Sequence, residues 1–375
     1  MLSGFHFWLA LLGLHLLENM RITTGSAVVF YRRSFSGNWQ ARTPFSYPGG
    51  GRWGWILSSL SPLNPTTLVA QDFALAMNEE QFSPNAALSS SKSAAVPYNQ
   101  IQSVCADESW VLVNGNRYLR CECRDAAEQF SRQIDEIRRL PAQKRTAAIE
   151  SILDQAFKGG MSERLRLFRS SAQTVEILVA WLWMTAFVLL PFMLAATGSD
   201  AVLLPLLAGI WLLAAAIARA SVKARQRIEG KKTPGFPWKS LKYALYPVAA
   251  LRAYQDLAER VVNKTHPLAL CTELCSDSQE PELAIELVLR IRYPRAGATN
   301  AEVNAVSEWF NARLEQRMTK HLNERRPDIL KKLIPERLNE GCLSYCPRCR
   351  MQYRRADGIC SDCPGVALKS FAFQA

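Results

Sequence analysis

Histidine is scarce in this chain, and the motifs that use it in catalysis are missing. The four histidines are His6, His15, His266 and His321. None belongs to an HExxH sequence, and none stands beside a serine or cysteine in a nucleophile-elbow sequence. The glycine run Gly49–Gly51 lacks the Lys-Ser/Thr that completes a phosphate-binding loop. The sequence therefore favours no enzyme class and shows no small-molecule substrate.

Two long apolar runs lack charged residues altogether. Residues 177–196 and 201–218 are each long enough, at 1.5 Å per residue, to cross a hydrocarbon core of roughly 30 Å. Transporters and pumps usually place ionisable groups inside the bilayer, so the absence of such groups favours a simple anchor. Only four residues separate the two runs, and we expect a transmembrane helical hairpin over 177–218.

The connector of this hairpin lacks lysine and arginine, whereas both of its flanks are basic. Arg164 and Arg169 precede the first run, and Arg219, Lys223 and Arg225 follow the second. Because cytoplasmic flanks collect basic residues, both soluble arms are expected in the cytoplasm, at the inner membrane if the source is bacterial. The alternative is a pair of buried helices in a soluble core, and the basic borders argue against it.

An apolar N-terminal segment, residues 1–20, leaves three alternatives open. Its run at 4–17 is short for a membrane span. No lysine or arginine precedes that run, which argues against a cleaved signal peptide. A third membrane-associated helix is one alternative, and a true start at Met20 is another. Because a spanning segment would change the side on which the following chain lies, this choice affects the topology.

Composition divides the chain before the hairpin into three parts. Residues 21–65 are rich in aromatics, glycine and proline and are expected to be irregular. Residues 66–140 carry strand-like alternation, with Asn114-Gly115 as a hairpin turn and an apolar helix face beginning after Asp125. Residues 141–176 are expected to form a helical connector to the membrane.

The strand-rich part resembles bacterial pleckstrin-homology-like domains. The resemblance is carried by Val96–Tyr98 leading to Ile101 and Val104, by the hairpin 110–121, and by a closing helix with Phe130. It implies a small strand-rich domain closed by one helix. It also implies a role in binding or scaffolding, because such folds seldom catalyse reactions.

The second arm, residues 219–340, is expected to be helical and is strongly basic at its start. The whole chain has a net charge of +12, and much of this excess follows the hairpin. Trp238, Lys239 and Lys242 combine aromatic and basic side chains next to the membrane and are candidates for contact with anionic headgroups. The same composition suits a nucleic-acid backbone, which we regard as the less favoured partner.

Cysteine, by contrast, is plentiful, and four of the ten cysteines form a metal-binding pattern. Cys346 and Cys349 make one CxxC pair, and Cys360 and Cys363 make the second after ten intervening residues. Two such pairs supply four thiolates from two tight turns, as tetrahedral Zn²⁺ requires. Residues 341–375 therefore look like a zinc ribbon with a structural metal. Rubredoxin-like iron, a redox dithiol and two disulfides are the alternatives.

The predicted ribbon also has a basic surface. Its arginines, which are candidates for binding a partner, are Arg348, Arg350, Arg354 and Arg355. Zinc ribbons bind both proteins and nucleic acids, and the scarcity of interleaved aromatics favours a protein.

These features together predict a multidomain α+β membrane protein. It would comprise a small pleckstrin-homology-like domain, a transmembrane hairpin, a helical cytosolic arm and a zinc ribbon. The expected function is a non-catalytic scaffold or adaptor that recruits a protein partner at the cytoplasmic leaflet. A membrane-tethered nucleic-acid-binding or regulatory protein is one alternative, and an accessory enzyme of envelope or lipid metabolism is another.

Overall fold

The protein is mostly helical, with several small sheets. The computed structural model describes residues 4–23, 27–32, 39–45, 54–57, 60–62, 68–71, 73–85, 94–121, 123–158, 160–230, 238–275, 280–294 and 301–371. The statements below concern these residues.

The first helix is followed by strands where irregular chain was expected. These elements are α1 (Gly4–Asn19), β1 (Met20–Thr23), β2 (Ala27–Arg32), β3 (Trp39–Phe45), β4 (Gly54–Leu57) and β5 (Leu68–Gln71). Strand β1 pairs with β4, and β2 lies between β3 and β5 in a second sheet. Strand β2 contains Val28 and Phe30, which are fully buried. Local β-branched and aromatic residues thus override the turn-forming composition around them.

A small hairpin opens the strand-rich part. Strands β6 (Leu75–Met77) and β7 (Gln81–Pro84) pair around a polar turn, and β8 (Val96–Pro97) pairs with β7. The strand expected to continue from Val96 ends after two residues, and a 3₁₀ turn follows at Tyr98–Gln100. Proline cannot donate to a ladder, so Pro97 is a natural end for this strand.

The second hairpin and its closing helix are also present. Strands β9 (Val104–Asp107), β10 (Trp110–Val113) and β11 (Asn116–Arg120) form one antiparallel sheet, and α2 (Arg124–Arg138) packs against β9 and β10. The turn residues Asn114 and Gly115 both have positive φ. Helix α2 begins two residues earlier than expected, with Cys123 instead of Asp125 at the N-cap. Asp125 lies in its first turn.

The pleckstrin-homology-like arrangement stays a prediction. Strands β5 to β11 belong to three different sheets, and one of these sheets also includes β2 and β3. Only β9, β10, β11 and α2 form a compact unit of consecutive strands closed by a helix.

Two of the helices are long and apolar enough to cross a membrane, namely Met161–Thr197 and Asp200–Glu229. They follow α3 (Ala142–Phe157) and comprise α4 (Met161–Met184), a π-helical turn, α5 (Leu190–Thr197) and α6 (Leu203–Glu229). Both continue past the predicted spans on the basic side. The π-helical turn, Thr185–Leu189, lies just before Pro191, which has no N–H to donate to the helix ladder.

The arm after the hairpin is helical, as predicted, but its helices are short at first. They are α7 (Trp238–Leu245), α8 (Pro247–Ala250), α9 (Ala253–Val262), α10 (Pro267–Leu274), α11 (Glu280–Arg292), α12 (Ala301–Arg325) and α13 (Pro327–Lys331). The region after Trp238 is not one continuous helix, because Pro247 starts a new helix, and the α9 that follows is largely buried. Helix α13 ends at Lys331. Because Pro335 disfavours helical geometry at Ile334, the residue before it, the helix does not continue to Leu338.

Both arms contribute to one hydrophobic core. Its buried residues extend along the chain from Val28 to Leu333. The rings of Phe73 and Phe310, one from each arm, lie 5.9 Å apart between centroids. The separation into a strand-rich domain and a helical arm expected from sequence therefore does not appear in the packing.

The cysteine-rich segment has a small core of its own. Strands β12 (Ser344–Tyr345), β13 (Gln352–Tyr353) and β14 (Lys369–Ser370) form a sheet in the order β13-β12-β14. Its buried cluster contains Val366 and three of the four cysteines.

Candidate metal centre

The first CxxC pair lies on a tight turn directly after β12. The Cys346 N–H donates to the Met351 carbonyl at 2.8 Å, and the Arg350 N–H donates to the Cys346 carbonyl at 2.9 Å. Arg350 has a φ of 64°, in the left-handed region that such a turn requires. The Cys349 N–H lies 3.5 Å from the Cys346 sulfur. The turn thus points both sulfurs to one side.

The second CxxC pair lies on a matching turn. The Cys360 N–H donates to the Val366 carbonyl at 3.0 Å, and the Val366 N–H donates to the Cys363 carbonyl at 3.1 Å. Gly358 and Gly365 flank the turn with φ values of 116° and 78°. Because L side chains rarely adopt these conformations, the two glycines fix where the turn begins and ends.

The two turns bring all four thiols together. The sulfurs of Cys346, Cys349, Cys360 and Cys363 lie within 4.8 Å of one another. Those of Cys349 and Cys360 are 3.6 Å apart, far beyond a disulfide bond and close to the edge of about 3.8 Å that Zn–S bonds of about 2.3 Å give a tetrahedron. The cluster can hold a metal ion, and its ligands are consistent with zinc.

The electrostatics of the cluster differ from thiol to thiol. Burial raises the pKa of Cys349 above the ordinary range, and burial with the nearby Cys346 raises the pKa of Cys363 to about 11. Burial also opposes ionisation of Cys360, but hydrogen bonds from the Tyr353 hydroxyl and other neighbours bring its pKa down to about 7. Four neighbouring thiolates, three of them on buried residues, require a compensating cation, which a bound divalent metal would supply.

The ribbon is attached to the helical body through Arg348. This side chain was expected on an exposed basic surface, but only 8% of Arg348 is exposed. Its guanidinium donates to the Tyr293 carbonyl at the end of α11 and lies 3.5 Å from the Arg290 carbonyl. Lys369 reinforces the contact by donating to the Tyr293 hydroxyl at 2.8 Å. No local pattern around Arg348 indicates this role, because its partners lie more than fifty residues upstream.

The other predicted binding arginines differ among themselves. Arg354 and Arg355 are exposed, whereas Arg350 is half-buried. Arg355 donates to the Ile359 carbonyl at 2.6 Å and lies over the Tyr353 ring at 5.3 Å. Arg354 is therefore the plainest candidate for contact with a partner.

The predicted lipid-binding residues lie on α7. The side chains of Trp238 and Lys239 fall outside the described residues. Lys242 is half-exposed and forms an ion pair with Glu18 of α1 at 3.0 Å. The positive charge of Lys242 is therefore partly neutralised within the chain.

The buried histidines His266 and His321 are held by local contacts. His266 caps α10 by accepting a hydrogen bond from the Leu268 N–H at 3.1 Å, and its ring stacks on Phe157 at 4.7 Å. His321 lies 3.0 Å from the Thr272 hydroxyl. Within the described ranges, neither imidazole is hydrogen-bonded to a carboxylate.

Comparison with known proteins leaves the chain without an assigned family. No protein-family model, no curated protein and no solved structure matches it.

Proposed function

We propose that this protein is a non-catalytic membrane-anchored adaptor that holds a structural zinc ribbon at the cytoplasmic face of a membrane. The observation that carries the proposal is the attachment of the four-cysteine cluster to α11 through Arg348. This contact joins the ribbon to the same helical body that carries the two long apolar helices. A partner bound by the ribbon would thereby be held near the bilayer.

Exposed apolar side chains support membrane anchoring. Only 22% of the apolar window of each long helix is buried, whereas a core helix of a soluble protein would be mostly buried. Trp181, Phe192, Leu204 and Leu212 are each more than 60% exposed. Such a surface favours a lipid environment over water. The basic flanks favour the cytoplasm for both arms.

The contacts of helix α1 support the interpretation that this helix is a third membrane-associated element. Its first N–H, at Gly4, donates to the carboxylate of Asp200 in the hairpin connector at 2.9 Å. Its other end pairs Glu18 with Lys242. The helix therefore runs beside the hairpin from the connector to the basic side. Phe5 and Leu17, at 53% and 64% exposure, are suited to lipid contact.

The ligand set supports zinc in a structural role. Four cysteine sulfurs fill a tetrahedral coordination shell and leave no position for a substrate. Iron accepts the same four ligands and is the competing metal. Elemental analysis of the purified protein distinguishes the two.

The outer surface of the ribbon supports a protein partner. Outside α1 and the hairpin helices, exposed large apolar side chains concentrate on the ribbon and the segment before it, at Ile334, Leu338, Leu343, Met351 and Ile359. Ile359 is 58% exposed. Apolar side chains beside basic ones are typical of protein interfaces. The smaller unit of β9 to β11 and α2 would serve as a second binding module if the pleckstrin-homology-like resemblance holds.

Affinity capture from membranes tests the adaptor role. We expect Met351→Glu with Ile359→Glu to lose partners that the unaltered protein retains, since charge opposes burial of that surface. The matched control is Gln143→Glu with Gln155→Glu, which adds the same charge on exposed positions of α3. Zinc content should stay at one ion per chain in both variants.

Two results would contradict the adaptor role. Identical partners in the surface variant and the control would show that the ribbon recruits nothing. Steeply salt-dependent binding of RNA or DNA to the intact protein would instead favour the nucleic-acid alternative.

A further inference from the structure

A large cavity lies where the long helices meet the strand-rich part of the protein. Its volume is about 800 Å³, within the range of small-molecule sites. It is lined by α2 and β9 on one side and by α4, α6 and α9 on the other. None of the motifs in the sequence indicates it, because its walls come from four separate parts of the chain.

The carboxylates that line the cavity are already paired with arginine. The pairs are Asp125 with Arg260 at 2.8 Å, Glu128 with Arg124 at 2.6 Å, Asp135 with Arg138 at 2.7 Å, and Glu229 with Arg225 at 2.9 Å. The negative charge of the walls is therefore neutralised within the protein.

Three basic side chains of the cavity walls are not paired with a carboxylate among the described residues. Arg132, Arg164 and Lys264 line the cavity and have no carboxylate within 4.0 Å among the described residues. The Arg132 guanidinium contacts only a backbone carbonyl, that of Glu128 at 3.2 Å. All three side chains are exposed and come from different helices or helix ends. The cavity thus carries an excess of positive charge that an anion would balance.

Two uncharged polar groups in the walls also lack partners. The Ser131 hydroxyl and the Asn263 side-chain oxygen are buried and make no hydrogen bond to any of the described residues. Buried polar groups are normally hydrogen-bonded, so each requires a partner. Both atoms lie below the accessible surface of the wall, so their side chains must turn towards the cavity to bond a ligand that carries donors and acceptors.

The position of the cavity favours a soluble ligand over a lipid. Along α4, Arg164 lies about 20 Å from Ile177, and along α6, Ile228 lies about 15 Å from Ala218. The headgroup layer extends only roughly 5–8 Å beyond the hydrocarbon core. If the two apolar runs span the membrane, the cavity lies in the water beyond the headgroups of ordinary phospholipids.

We propose that this cavity binds a water-soluble small molecule that carries phosphate groups and hydroxyl or amino groups. Arginine and lysine bind phosphate through charge-assisted hydrogen bonds. Ser131 and Asn263, once turned towards the cavity, would contact the organic part of the ligand. This site does not depend on the adaptor role of the ribbon.

Titration of the whole chain in phosphatidylcholine nanodiscs with ATP and with pyrophosphate tests the proposal. We expect saturable binding of ATP at one site per chain that weakens with added salt. The variant Arg132→Gln with Lys264→Gln should weaken it about tenfold or more, because each lost contact is a charge-assisted hydrogen bond. The control, Lys320→Gln with Arg325→Gln, removes one lysine and one arginine from exposed positions on α12 and should bind normally.

Three outcomes would overturn the proposal. The first is no saturable binding of either probe. The second is an equal loss of affinity in the control, which would indicate a general charge effect. The third is thermal stabilisation by phosphatidic acid in the nanodisc without any effect of ATP, which would assign the cations to a lipid headgroup.

Discussion

The imidazole of His266 is held neutral by its surroundings. The ring is buried between Phe73 and Phe157 and lies near His321. Burial, with a smaller contribution from His321, lowers the pKa of His266 to about 3. In the unfolded chain the same group titrates near its ordinary value of 6.5. The unfolded state therefore binds an extra proton between these two values.

This difference predicts a loss of stability in acid. The contribution of His266 is fully present above about pH 6.5 and declines as the pH falls towards 3, by about 1.4 kcal/mol per pH unit. We expect His266→Asn to flatten this dependence while lowering stability at neutral pH, since asparagine keeps the cap but loses the ring contacts. Thermal unfolding of the detergent-solubilised protein from pH 7 to pH 5 measures both effects. An unchanged pH dependence in the variant would show that other groups are responsible.

At the scale of elements, a contact between Arg348 and the end of α11 attaches the ribbon to the helical body. The guanidinium of Arg348 supplies the charged part of this contact, and Tyr293 provides both a carbonyl and a ring. Hydrogen bonds to charged groups contribute about 1.5–3 kcal/mol each when buried. This contact is therefore one of the interactions that hold the ribbon in place.

Removal of the Arg348 guanidinium should detach the ribbon from α11 without loss of the metal. We expect Arg348→Ala to make the chain between α13 and β12 more sensitive to limited proteolysis, while zinc content stays at one per chain. The exposed Arg354→Ala is the control, since it removes the same charge without a buried contact. Equal protease sensitivity of the two variants would mean that Arg348 does not hold the ribbon.

Local spacing predicted some elements well. The four cysteines, the Asn114-Gly115 hairpin and the two apolar helices are all encoded in short stretches of sequence. The position of Arg348 against α11 depends on contacts between distant parts of the chain, and no local period indicates such contacts. The same holds for β2, whose pairing with β5 decides its structure.

At the scale of the whole molecule, contacts at the two ends of α1 determine where this helix lies relative to the hairpin. Gly4 contacts Asp200 beside the connector, and a Cβ at position 4 would come within 2.7 Å of Asp200 and Leu194. This close approach fixes the start of α1 at the connector end. If the hairpin spans the membrane, the N-terminus lies on the side opposite to both arms.

Epitope accessibility in intact cells tests this topology. Tags placed before Met1 and between Gly198 and Ser199 should both be detected from outside, because these sites lie at the same end of the bundle. A tag after Asn339 should be detected only after permeabilisation. Detection of the N-terminal tag solely in permeabilised cells would place α1 on the cytoplasmic side.

The shared core of the two arms has a consequence for the order of events during synthesis. Asn85 donates to the side-chain oxygen of Asn311 at 2.9 Å across 226 residues of sequence, and the hairpin lies between them. At a synthesis rate of 5–20 residues per second, the first partner waits roughly 10–45 s for the second. During that interval β6 and β7 lack α12, the helix that packs against them in the folded protein. If the hairpin spans a membrane, its insertion and the protection of those strands must proceed together, before the four cysteines of the ribbon are complete.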